Sequence, residues 1–501
     1  DAEPLPDHLP YLACVDEVVL LQDRDGDGPS LGAIWELDPV SVEGAPEDRW
    51  KQLTQAAHDL LLRLPEEAAL QAILLSDHDI TRELTAYGEL TISDGFVRTV
   101  STDRVRLYQH HGAGLFTHKG VAFRCRRVRI YCTVRLWPRS PSSHGLFWRR
   151  PWPTDTWEWF HAVRHQIAQV EQMLVDTLQL CGIGLRRLSA DHVKALLWRF
   201  LNPHTPDTVT PYREHCLLRE QLLTARTDVD GTGVSRGQDV TVIPLTAMEH
   251  PAETQEGMFM RELEFGEARA ALVDLFPELC LVWNVHVLNQ QLAFTAIKRH
   301  KTMAWLNTLD PVRGFTVEHQ VIQDDLEAVI GEVFGSGHRL LRTSVHALVA
   351  AAPSLVESQS TQVASAIGRL GFRMDREDII GPSVWRQCLP LGYDPEAESI
   401  VRRSHRVVST NTADFLPVHG YFRGMGAPRF LYLSRRGEPV RFDPYEAAPA
   451  PHIFVAGVTG AGKSVWVTDA ILQARAGIGD RRCYRGWFGL FLLRFWVAAG
   501  G

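Results

Sequence analysis

The chain has 501 residues, 45% hydrophobic, 22% charged and 9% aromatic, which excludes a wholly disordered or collagen-like protein and suits roughly two to four domains. A net charge of −8 excludes a global basic field that would draw it onto nucleic acid, so no direct nucleic-acid binding is expected. The eight cysteines form no CxxC pair and read as reduced thiols, and the longest apolar stretch, Gly486–Ala499, is broken by Arg494 and too short to span a membrane.

Glu17–Leu21 and Leu31–Leu37 read as strands joined by the acidic turn Asp23-Arg24-Asp25-Gly26-Asp27-Gly28. A helix over Asp48–Leu62, stopped by Pro65, and a strand over Leu70–Leu75 follow. The strand Phe123–Leu136 closes an amino-terminal α+β domain, residues 1–136. Residues 137–154, rich in Pro, Ser and Arg, read as a linker.

Residues 155–412 read as a mixed α/β middle region. Trp157, Phe160, Val163, Ile167, Val170, Leu174 and Leu178 recur at helical spacing until Gly182, and a second helix runs from Ser189 to Leu201-Asn202-Pro203. Strands are expected at Gly257–Leu263, Leu279–Leu288 and Arg339–Ala350. Helices are expected at Gln290–Leu306, Val317–Phe334 and Ser354–Leu370. Arg429–Ser434 and Pro439–Pro444 read as a hairpin around Arg436-Gly437.

Pro451–Ala456 reads as a short apolar strand leading into Gly457-Val458-Thr459-Gly460-Ala461-Gly462-Lys463-Ser464, then a helix over Val465–Ala476. This is the GxxxxGK[ST] phosphate loop, expected about 0.004 times by chance in a chain with so few lysines. Its glycines let backbone N–H groups turn inward as an anion nest, and the helix start adds its positive end. The pattern assigns Gly457, Val458, Thr459, Gly460, Ala461, Gly462, Lys463 and Ser464 to ATP. Lys463 is the catalytic candidate at the β- and γ-phosphates, and the Ser464 hydroxyl a ligand of Mg²⁺. Hydrolysis also needs an acid at the end of a later strand, and the last acid here is Asp480. Residues 481–501 carry Trp487, Phe488, Phe491, Phe495 and Trp496 without a carboxylate, so a truncated or out-of-frame end is expected.

Asp23–Gly28 opens like a calcium loop but has Ile34 where a bidentate Glu is needed, and Asp228–Gly233 lacks flanking helices. His110, His111 and His118 have no adjacent carboxylate, so no zinc site is expected.

The order of these features resembles the conjugative-transfer ATPases of type IV secretion systems, the TraC-like group. Leu9-Pro10-Tyr11 before a strand–turn–strand, Leu201-Asn202-Pro203, Leu340–Ala350 with Ser354–Leu370 and Gly371-Phe372 carry the resemblance. So do Trp385, Leu389-Pro390, Asp414-Phe415-Leu416-Pro417, the Arg436-Gly437 hairpin and the phosphate loop. It covers almost all of residues 5–476 and implies an α+β amino-terminal region followed by an incomplete α/β RecA-like P-loop domain, its beginning at 413–480. The implied protein is an ATP-binding component that energises pilus and channel assembly for DNA transfer. The implied partners are type IV secretion channel components and further copies in a hexamer, at the cytoplasmic face of the inner membrane. The family continues for several hundred residues beyond its loop, so this chain alone is expected to be inactive. Two other readings stand beside it: a non-catalytic module docking on channel components, and a DNA-translocating coupling-type ATPase.

Overall fold

The computed structural model describes residues 8–23, 27–91, 95–109, 116–118, 121–137, 152–203, 209–223, 227–229, 232–236, 240–265, 268–276, 278–308, 331, 333, 335–443, 446 and 453–478. They fall into two compact units, residues 1–75 with 129–421 and residues 76–128 with 422–501.

The larger unit is built on an antiparallel sheet of thirteen described strands. At its centre Cys280–Val287 pairs with Ala69–Asp77 on one side and Leu340–Ala351 on the other, with Cys280 opposite Leu75 and Leu348. Every residue of Cys280–Val287 is buried, so both faces of this strand are covered. One face carries Leu281, Trp283 and Val285, with Phe259 set edge-on to Trp283 at 5.1 Å between ring centroids. The other carries Ile73, Cys280, Val282 and Leu348 in a core shared with the helix Ala190–Leu201 and with Trp385, Leu389 and Leu391.

A buried polar row crosses that second face. Gln71 Nε2 donates to Asn284 Oδ1 at 3.0 Å, Asn284 Nδ2 to Ser344 Oγ at 3.3 Å, and His346 bridges Ser344 Oγ and Thr246 Oγ1. Each side chain satisfies its neighbour, which a dry interior requires. Beside it Leu391 is held at φ 62°, its N–H donating to Gln71 Oε1 at 3.0 Å. Arg135 donates to the carbonyls of Leu391 and Tyr393 and forms a buried ion pair with Asp23 at 2.6 Å.

Local signals explain the helices. Asp155 caps Thr156–Gln179 by accepting from the N–H groups of Trp157 and Glu158 at 2.9 Å, and Val163, Ile167, Val170, Leu174 and Leu178 form its buried stripe. Trp157 stands outside the stripe, 73% exposed. Gly182 at φ 82° follows the helix end. Asn202 ends the next helix, its amide donating to the carbonyls of Trp198 and Leu222.

The smaller unit joins sequence-distant pieces. Helices Thr81–Glu89 and Phe96–Gln109 come from its first segment. The antiparallel pair Phe430–Leu433 and Pro439–Phe442 and the helix Lys463–Ile478 come from its second. Its core is Ile80, Leu84, Tyr87, Cys125 and Leu431. The turn between the paired strands is stitched to the first segment: Arg126 donates through N–H and Nε to the carbonyls of Gly437 and Arg436.

Several expectations need correction. Residues 453–458 form no strand, and Phe454 is 87% exposed. A strand needs a neighbour for its N–H and C=O groups, and no described strand pairs with this segment. Gly257–Met260 is a buried turn, and the strand begins only at Glu262. Tyr11–Val15, Thr81–Glu89 and Phe96–Gln109 are elements that the sequence reading passed over. The expected helix Val317–Phe334 lies almost wholly outside the described residues, as do most of the 137–154 linker, His110 and His111, and 481–501.

Candidate nucleotide site

The eight residues Gly457–Ser464 lie in the smaller unit, as an exposed loop running into the helix Lys463–Ile478. Gly460 and Gly462 sit at φ 81° and 82°, backbone that glycine adopts without strain. The Ala461 N–H donates to the Val458 carbonyl at 3.1 Å, and the Trp466 N–H to the Gly462 carbonyl at 2.9 Å, opening the helix ladder. A Cβ on Gly457 would lie 3.3 Å from Ala461 Cβ and 3.4 Å from Lys463 Cγ, so the loop folds closely on itself.

Lys463 Nζ donates to the carbonyls of Gly457 at 2.7 Å and Val458 at 3.0 Å. The ammonium is thus held at the loop by the loop's own backbone, with one of its three protons left over from these two bonds. The first N–H groups of a helix have no carbonyl within it to bond, and here they begin at Lys463 and Ser464. Oriented N–H donors, a positive helix end and a lysine suit a polyphosphate, and the Ser464 hydroxyl, also exposed, suits Mg²⁺ bound with it.

The helix behind the loop is firmly tied. Asp469 is the only acid on Lys463–Ile478, and both its oxygens accept from Arg104 of Phe96–Gln109. Gln473 Nε2 also donates to Asp469 at 2.8 Å, and Gln473 Oε1 accepts the Leu431 N–H at 2.8 Å. Trp466 stacks on Tyr432 with centroids 5.9 Å apart. Arg104, Asp469, Gln473 and Tyr432 escaped the sequence reading, because nothing local links residues 365 positions apart. The Asp469 carboxylate is engaged with Arg104 and Gln473. No group of three or more His, Cys, Asp or Glu able to hold a metal occurs among the described residues.

The sequence profile of the TraC protein family matches residues 5–393. This chain belongs to the TraC family. As a TraC-family chain it is a conjugative-transfer protein of type IV secretion, and its partners are components of that system. The matched span includes most of the large sheet and ends 64 residues before Gly457, so Gly457–Ser464 lie outside the family match. No curated protein matches the chain. No helix among the described residues is long and apolar enough to cross a membrane.

Proposed function

We propose that this TraC-family chain is the ATP-binding component of a conjugative type IV secretion system and supplies energy for pilus and channel assembly. The observation that carries the reading is the loop itself: GxxxxGKS with both inner glycines left-handed and a helix starting at its lysine. In this reading Gly457–Gly462 cradle the phosphates through their N–H groups, Lys463 neutralises the β- and γ-phosphates, and Ser464 holds Mg²⁺. A RecA-like motor domain, a hexamer and a place at the cytoplasmic face of the inner membrane belong to the same proposal. Calorimetric titration of ATP·Mg²⁺ into the purified chain tests it, with Lys463→Ala as the control. Saturable, Lys463-dependent binding supports the reading. Its absence leaves a docking module for secretion components carried by the large sheet.

A further inference from the structure

A closed circuit of hydrogen bonds lies behind the phosphate loop. Arg104 Nη1 donates to the Leu431 carbonyl at 3.3 Å, and the Leu431 N–H donates to Gln473 Oε1. Gln473 Nε2 donates to Asp469, and Asp469 accepts both Nη1, at 3.2 Å, and Nη2 of Arg104. Three elements are locked by these four residues: the helix Phe96–Gln109, the strand Phe430–Leu433 and the helix Lys463–Ile478. The Arg104 side chain is 11% exposed, and Tyr87 and Leu431, with Val105 and Tyr108 against them, form the apolar surroundings. A forked guanidinium on a carboxylate fixes orientation as well as charge, which a single ammonium does not.

Asp469 lies five residues beyond Ser464 on one helix, about 7.5 Å along its axis. The anchored point and the end of the loop, Lys463 and Ser464, therefore lie on one continuous helix. Residues 76–128 are far from the loop in sequence, yet through Arg104 they set where that helix stands.

We propose that Arg104 is a positioning residue for the phosphate loop, so that nucleoside triphosphate binding and the packing of the helix Phe96–Gln109 are reciprocally coupled. The proposal rests on the nucleotide reading above. Nucleotide that fixes the loop then tightens the circuit and the helix Phe96–Gln109. Releasing the circuit weakens nucleotide by the same factor, as linkage requires.

The experiment uses the full chain with ATP·Mg²⁺ as the probe. Affinity is measured by calorimetry and amide hydrogen exchange by mass spectrometry, for wild type, Lys463→Ala, Arg104→Gln, Arg104→Lys and Asp469→Asn, each checked for folding by circular dichroism. Arg104→Gln should weaken binding about tenfold, within the usual range of coupling between sites. Arg104→Lys should lose part of that, and Arg104→Gln combined with Asp469→Asn no more than Arg104→Gln alone. ATP should slow exchange in Phe96–Gln109 in wild type and leave it unchanged in Arg104→Gln, a readout that a merely structural arginine would not move. Wild-type affinity in folded Arg104→Gln, or in Arg104→Lys should the glutamine variant not fold, overturns the proposal. So does exchange in Phe96–Gln109 that ignores ATP in the wild-type chain. Wild-type binding that Lys463→Ala leaves intact, or no binding at all, overturns the nucleotide reading and this inference together.

Discussion

His346 and His419, with His250, whose pKa burial and then His405 lower to about 3, weaken the larger unit in acid. His346 is 1% exposed, with Nδ1 3.1 Å from Thr246 Oγ1 and Nε2 2.9 Å from Ser344 Oγ. Burial, and then the nearby Arg403 and His250, push its pKa down to about 3. His419 is wholly buried, Nε2 3.1 Å from the Trp50 carbonyl and its ring stacked on Trp50 at 4.8 Å. Burial lowers it to about 4, with the Trp50 carbonyl acting against the shift and Arg261 adding to it. Both imidazoles stay neutral in the fold, whereas in the unfolded chain they take up protons below about pH 6.5. The unfolded state then binds more protons, so stability falls as pH falls below 6.5, and the loss levels off only near pH 4 to 3.

At pH 4.5, about two units below the unfolded pKa, each histidine costs about 2–3 kcal/mol and the pair about 5. A domain has only about 5–15 kcal/mol in hand. Urea denaturation from pH 7.5 to 4.5 should therefore show a steep loss in the larger unit, read by hydrogen exchange in Cys280–Val287 and Leu340–Ala351. Glu398 and Asp414, raised by burial, pull the other way. Comparison with His346→Gln cancels them, because they are common to both chains. That variant should flatten the dependence by about 1 kcal/mol per pH unit between pH 6 and 4.5. Parallel profiles for the two proteins would refute the reasoning.

Arg135→Met should cost about 3–5 kcal/mol, because it removes the cation buried against Asp23 and the donors to the Leu391 and Tyr393 carbonyls; the urea midpoint checks this. Gly32→Ala places a Cβ 2.6 Å from Leu391 Cδ2 and 3.2 Å from the Val134 carbonyl. The left-handed Leu391 is pinned by Gln71, so the loss should be about 1–3 kcal/mol, seen as a lower thermal midpoint with unchanged circular dichroism at 20 °C or so. Cys132 and Cys280 should resist iodoacetamide in the native chain near pH 8, since burial pushes both thiols up to about 12; rapid alkylation by mass spectrometry would contradict that.

Elements whose own residues carry a full signal were legible in the sequence. Thr156–Gln179 has its capping Asp155, its three- and four-residue apolar spacing and Gly182 beyond its end. Leu340–Ala351 and the strands flanking Arg436-Gly437 were read the same way. Phe96–Gln109 buries only Val97 and Ser101 among its side chains, while Phe96 and Leu107 face solvent, so no stripe announces it. Met258, Phe259 and Met260 mimic a buried strand, but Gly257 at φ 63° turns the chain there and Phe259 packs on Trp283. The GxxxxGKS pattern is read from eight consecutive residues, Gly457–Ser464, and needs no tertiary contact to be seen. The circuit of Arg104, Leu431, Asp469 and Gln473 was not, because tertiary packing alone brings those four together.

Titration of ATP·Mg²⁺ into the purified chain and its Lys463→Ala variant tests the nucleotide reading most directly. Lys463 bears the positive charge among the loop residues and is already held at the loop by the Gly457 and Val458 carbonyls. A charged hydrogen bond is worth about 1.5–3 kcal/mol, so removing this one should weaken binding by about ten- to a hundredfold while circular dichroism stays the same. Saturable binding by the wild-type chain with that loss in the variant is the expected result. Equal affinity in the two proteins, or no heat of binding in either, would contradict the account.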